Sequence, residues 1–188
     1  MIGEIREYTK KRVSQRRFRH ILGVEKLAFE LCMKYGVKGE KGRAAALLHD
    51  CTKEKKYEEQ LKLAEKYNII LEYSAEKFPQ CVHADTAAEV ARHVFGLDDD
   101  VCNAIKYHTV ARENMDILEK IIFVADKCEK GRDKELEKAP IWRRTAFQNI
   151  DRAVYDILRD NCEYLEKHGK PICENTRKAL ESLKEIVK

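Results

Sequence analysis

Apolar positions recur at three- and four-residue intervals through most of the chain, the spacing that gives a helix one buried face. A short helix opens near residues 2 to 13. Ser14 is placed to cap the next helix, in which Phe18, Ile21, Leu22, Leu27, Leu31 and Tyr35 follow the period until Gly36 stops it. A loop around Gly39 and Gly42 leads into residues 44–48, a run so apolar that its helix belongs at the centre of a bundle, closed by His49 and Asp50. Residues 55–67 are amphipathic, and residues 68–80, with Pro79, read as an irregular connection. Further helices are predicted at about 82–95, ended by Gly96, at about 98–107, capped by Asp98, and at about 115–129, ended by Gly131. Pro140 suits the first turn of one long helix running to about residue 168, where Gly169 and Pro171 break it, and Asn175 is placed to cap a last helix. The expectation is an all-α helical bundle, a single domain over residues 1–188 with a core at about 15–130 and a C-terminal long helix and cap at about 140–188.

Composition points the same way. The 188 residues include 8 glycines and 3 prolines, about half the breakers of an average chain, which favours long helices over many tight turns. Charged residues make up 37% against 44% hydrophobic, a densely ionised surface over an ordinary core and not the profile of a disordered chain. The net charge of +4 is too small to announce a nucleic-acid binder. Cys32, Cys51, Cys81, Cys102, Cys128, Cys162 and Cys173 are odd in number and never form a C-x-x-C pair, which fits reduced thiols and a cytoplasmic setting. The N-terminus lacks the apolar stretch of a secretory signal, and apolar runs stop at about six residues against the roughly 20 that span a bilayer, so no membrane partner is expected.

The chemical anomaly lies at the ends of the two most apolar runs. Residues 44–48 run straight into His49-Asp50, and residues 121–125 run straight into Asp126. A carboxylate drawn into such surroundings costs several kcal/mol unless a cation or a set of hydrogen bonds compensates it. The His-Asp pair alone is weak evidence. Joined by His20 on the preceding helix and by Asp126, it makes two imidazoles and two carboxylates, a mixed nitrogen and oxygen donor set suited to a divalent metal. His93 and His168 read as structural or exposed, and the basic run from Lys10 to Arg17 as a charged helix face, with Arg17 placed to brace the site.

These residues resemble the HD-domain phosphohydrolases, whose pattern is His, then His-Asp, then a distant Asp. Within them the chain is similar to the YqeK group in Arg17-Phe18-Arg19-His20-Ile21-Leu22-Gly23-Val24, in Ala46-Leu47-Leu48-His49-Asp50-Cys51-Thr52-Lys53, in His108-Thr109, and in Ala125-Asp126-Lys127-Cys128-Glu129-Lys130-Gly131-Arg132-Asp133. The likeness runs from about residue 10 to about residue 180. It implies an HD-domain bundle and an iron-containing hydrolase, manganese or another transition metal being the alternative, that splits diadenosine tetraphosphate symmetrically into two ADP. By the same likeness the metal ligands are His20, His49, Asp50 and Asp126. Lys53, His83, His108, Thr109, Asp126, Arg132 and the segment Pro171, Ile172, Cys173, Glu174, Asn175 and Thr176 meet the nucleotide, with Lys53, His83 and His108 in the catalytic set. Physical chemistry suits these roles. Lys53 is one turn past Asp50, and His83 and His108 are fitted to phosphate binding, to proton transfer near neutral pH or to a second metal site. Arg132 is fitted to bidentate phosphate capture. The segment after Thr176 departs from the group's pattern, lacking its Arg-Asn pair. The implied partners are the nucleotide substrate and the ADP product, with a homodimer as the candidate assembly. The rivals are an HD-type nucleoside mono- or triphosphate hydrolase and a non-catalytic nucleotide sensor.

Overall fold

Local chemistry sets the ends of the long N-terminal helix. After α1 (Ile2–Lys10), the Ser14 hydroxyl accepts from the Arg17 amide to open α2 (Gln15–Tyr35), and Gly36 closes it in the left-handed region at φ 70°. There follow α3 (Gly39–Leu48), α4 (Tyr57–Lys66), α5 (Val82–Phe95), α6 (Asp99–Lys106), α7 (Ile117–Cys128), α8 (Ala139–Gln148), α9 (Ile150–Lys167) and α10 (Glu174–Ile186), with 3-10 turns at Pro79–Cys81 and Lys130–Lys134. This computed structural model describes residues 1–187, and the described residues contain no strand. The chain is all-α, as its periodicity predicts. No helix among the described residues is long and apolar enough to cross a membrane, and all seven cysteines are buried and unpaired.

The central helix is α3, enclosed by α1, α2, α5, α6 and α7. Its Ala44, Ala45, Ala46, Leu47 and Leu48 are all buried, as are Ile121, Ile122, Phe123 and Val124 of α7. Each large side chain so removed from water contributes roughly 1.5–3 kcal/mol. One continuous core runs from Ile5 to Leu183, with α8 and α9 packed on α7 and α10 packed on α9. The two apolar runs therefore carry His49, Asp50 and Asp126 to the middle of the molecule.

Several boundaries differ from the sequence reading. Gly39 and Gly42 lie inside α3, not in a loop. A Cβ on Gly42 would stand 2.4 Å from the Cys32 sulfur, so glycine here serves the close approach of α2 and α3. The predicted long helix is two helices, broken at Asn149, whose extended backbone (φ −151°, ψ 108°) and side-chain oxygen, accepting from the Arg152 amide at 3.0 Å, make it the cap of α9. The last helix begins at Glu174 with Cys173 in the cap position, and Asn175 instead donates its amide to Glu72 at 2.8 Å. Helix α7 ends at Cys128 because Glu129 turns extended and its carboxylate caps the Gly131 amide, so Gly131 is not the terminator.

Candidate metal centre

Five histidine and aspartate side chains converge on Asp50. His20 comes from α2, His49 and Asp50 from the C-terminal end of α3, His83 from the first turn of α5, His108 from just past α6, and Asp126 from the last turn of α7. All but His20 are buried. Three of the histidines share one device. The Nδ1 of His49 lies 2.7 Å from the Ala46 carbonyl oxygen, that of His83 2.8 Å from Gln80, and that of His108 2.6 Å from Ile105. A carbonyl oxygen only accepts, so Nδ1 carries the hydrogen in each ring and Nε2 is turned to the centre as a bare lone pair.

These lone pairs crowd against other acceptors, with only the Thr109 hydroxyl, 3.1 Å from His108 Nε2, and Lys53 Nζ, 3.4 Å from His83 Nε2, as donors at their edge. His49 Nε2 is buried without a hydrogen-bond partner, 3.5 Å from Asp50 Oδ2 and 3.8 Å from Asp126 Oδ1. His83 Nε2 and His108 Nε2 stand 3.2 Å apart, and Asp50 Oδ1 is 3.2 Å from the first and 3.7 Å from the second. Protonating the rings does not resolve the conflict, because burial pushes His49 down to about 4 and lowers His83 and His108 as well. The residues therefore fit cations. Ligand atoms of His20, His49 and Asp50 lie within 4.8 Å of one another, and so do those of Asp50, His83 and His108, spacings that the roughly 2.0–2.2 Å bonds of a divalent metal draw together. Asp50 belongs to both groups, one oxygen to each.

Asp126 joins the first group, with Oδ1 3.0 Å from His20 Nε2. Burial works to raise both carboxyls, but Lys127 and His20 outweigh it at Asp126, and His49, His108 and His83 do so at Asp50, leaving each well below the usual carboxylate range. Four cations flank the pair. Arg17 Nη1 donates to Asp50 Oδ2 at 2.8 Å and Arg132 Nη2 to Asp126 Oδ1 at 3.2 Å. Lys127 Nζ meets the other Asp126 oxygen, Oδ2, at 2.5 Å, and Lys53, its pKa lowered by burial, lies 3.2 Å from the Gln80 carbonyl oxygen and against the His83 ring.

Two residues that the sequence reading did not assign complete the setting. Lys127 is one. The other is Glu129, whose Oε1 accepts from His20 Nδ1 at 3.1 Å while Oε2 accepts from the Gly131 amide at 2.6 Å. A Cβ on Gly23 would stand 2.3 Å from Glu129 Oε2, and one on Gly131 2.6 Å from Oε1, so the two glycines form a cradle that only a bare backbone leaves open. The structure thus brings together His20, His49, Asp50, Asp126, Lys53, His83, His108 and Arg132. Thr109 sits beside them, its hydroxyl 3.1 Å from His108 Nε2. The segment 171–176 packs against sequence neighbours of His83 and Thr109. Cys173 packs with Cys81 and Val110, the Thr176 hydroxyl donates to the Val110 carbonyl, and Glu174 pairs with Lys178. Pro171 is exposed and Ile172 half-buried.

A family model described as "HD domain" matches residues 17–131, which includes His20, His49, Asp50 and Asp126. The chain belongs to the HD-domain family. It is similar to a Halalkalibacterium halodurans protein named "Bis(5'-nucleosyl)-tetraphosphatase, symmetrical", 34% identical over 93% of this chain and 92% of that protein. A Bacillus subtilis protein of the same name is 28% identical over 89% of each. Among solved structures it resembles a predicted HD superfamily hydrolase involved in NAD metabolism from Clostridium acetobutylicum, with a TM-score of 0.92, 29% identity, and 99% of this chain and 98% of that one covered.

Proposed function

We propose that this protein is a metal-dependent hydrolase that cleaves diadenosine tetraphosphate at its central linkage, releasing two molecules of ADP. The observation that carries the reading is the crowding of lone pairs: the unpartnered His49 Nε2 and the opposed His83 and His108 nitrogens around Asp50. His20, His49, Asp50 and Asp126 hold one cation, and Asp50, His83 and His108 hold a second, which takes the two later histidines out of proton transfer. Iron is the proposed metal, on the likeness to the YqeK group. A bound metal supplies neutralisation of phosphoryl oxygens and an acidified water as nucleophile.

The protein's own groups supply the rest. Lys53, Lys127, Arg17 and Arg132, set around the two carboxylates, bind the anionic bridge and hold it in line at the centre. The Thr109 hydroxyl is placed to hold a phosphoryl oxygen or a water at the His108 edge. The leaving ADP needs no strong acid, because a terminal phosphate has a second pKa of about 6 and departs as an anion. The segment from Pro171 to Thr176, seated beside Val110, is the proposed wall for the base, with Ile172 its apolar contact. Buried, unpaired cysteines suit a reducing cytoplasm.

Product analysis tests the reading. Protein loaded anaerobically with iron, or with manganese, and given diadenosine tetraphosphate should yield ADP alone. ATP plus AMP would refute the central cut, and turnover confined to nucleoside mono- or triphosphates would replace the substrate.

A further inference from the structure

A substrate cut at its centre has two equal halves, and both need a place to lie. Lys53 and Lys127 are placed to serve one half. Beside the centre lies a cavity of about 460 Å³, within the usual range for small-molecule sites, and neither lysine lines it. Its walls bring four arginines together: Arg16, Arg17 and Arg19 from α2, and Arg132 from the turn after α7. His20 forms part of the wall, so the cavity reaches the centre directly. The two arginines nearest the centre are the ones already bonded to Asp50 and Asp126.

The sequence places these cations against the local field. The first turn of α2 holds no acidic residue, and basic side chains there oppose the helix dipole by a few tenths of a kcal/mol to about 1 kcal/mol each. The acidic residues of the cavity offset part of this charge, Glu135 by pairing with Arg16 and Arg132 and Glu54 by lying 3.9 Å from Arg17, but none of them pairs with Arg19. Glu54 accepts from the Ser14 amide and hydroxyl, Glu129 from His20 and Gly131, and Glu135 from Arg16 and Arg132. Arg19 is exposed and makes no hydrogen bond or ion pair with the described residues, and Arg16 holds only the exposed Glu135.

We infer that this cavity is the second nucleoside diphosphate subsite, in which Arg16 and Arg19 receive the phosphates of the half that Lys53 and Lys127 do not hold. The inference rests on the proposed symmetrical cleavage and deepens it: two diphosphate halves meet different pairs of cations around one centre, and the two ADP leave from different walls.

The test uses the full chain carrying Arg16→Gln and Arg19→Gln together, loaded with manganese beside wild type. A second double variant, Lys10→Gln with Lys11→Gln, removes the same charge away from the cavity. Calorimetric titration with ADP should give two molecules per wild-type and control chain but one per Arg16/Arg19 variant. With diadenosine tetraphosphate the variant's KM should rise about tenfold or more while kcat moves less than twofold. One ADP per wild-type chain, or two in the Arg16/Arg19 variant, would overturn the subsite. So would an equal KM rise in the control, which would reduce the effect to net charge. A wild type that binds two ADP yet leaves diadenosine tetraphosphate intact would instead sink the proposed function, with the subsite standing as a nucleotide site.

Discussion

Replacing Gly23 by alanine tests whether Glu129 sets the metal affinity from outside the centre. The new Cβ would stand 2.3 Å from Glu129 Oε2 and 2.9 Å from its carboxyl carbon, so the carboxylate must withdraw by about 1 Å to regain ordinary contact. That movement breaks the bond from the Gly131 amide, at 2.6 Å, and loosens the one from His20 Nδ1, at 3.1 Å. Losing hydrogen bonds to a charged acceptor destabilises by about 1.5–3 kcal/mol, and alanine in a helix interior returns about 1 kcal/mol over glycine, so the fold should lose no more than about 2 kcal/mol. The larger effect falls on the metal. A ligating histidine stripped of its carboxylate partner typically binds 10–100-fold more weakly, about 1.4–2.8 kcal/mol. Manganese titration against a competing chelator, beside a urea melt of the apo protein, separates the two. Manganese affinity within twofold of wild type in a folded G23A protein would refute the role given to Glu129.

Metal removal should lower stability as well as activity. Restoring manganese to 100 times its dissociation constant should raise the unfolding free energy by about 2.7 kcal/mol for each site filled, read as a higher Tm, and an unchanged Tm would count against metal held by the folded centre. Gly42→Ala should destabilise by roughly 1–3 kcal/mol in denaturant melts through its clash with Cys32, with little change in metal affinity. Glu72 joins the 68–80 connection to α6 and α10 by accepting from Lys106, Tyr107 and Asn175, and although burial works to raise its pKa, Lys106 and Tyr107 hold it below the usual value. Its contribution is therefore present above the unfolded value near 4.5 and is lost as pH falls through the lower folded value. Glu72→Gln should accordingly be less stable than wild type at pH 7, and the gap should close in acid, whereas a gap independent of pH would contradict the assignment.

What the sequence discloses here follows from which forces are local. The ends of α2, α5 and α6 were legible because Ser14, Gly36, Gly96 and Asp98 act on their own backbone. Gly39 and Gly42 misled because their reason is tertiary: they let α3 approach Phe29 and Cys32 of α2. The break at Asn149 was readable in principle, since Asn followed by an acidic residue in the first turn is a cap signal, but the apolar period runs through it unbroken. At the site, carboxylates at the ends of apolar runs marked Asp50 and Asp126. Glu129 left no such mark, because its partners His20 and Gly23 lie more than a hundred residues away and their meeting depends on how α2 packs against α7. Lys127 left only its adjacency to Asp126, one lysine among 37 basic residues.

The most direct test of the account is anomalous diffraction from crystals grown with manganese. Peaks should appear between His20, His49, Asp50 and Asp126 and between Asp50, His83 and His108, and the first should vanish in Asp126→Ala. Manganese bound elsewhere, or a centre still empty at saturating metal with the Arg17 and Arg132 ion pairs intact, would contradict it.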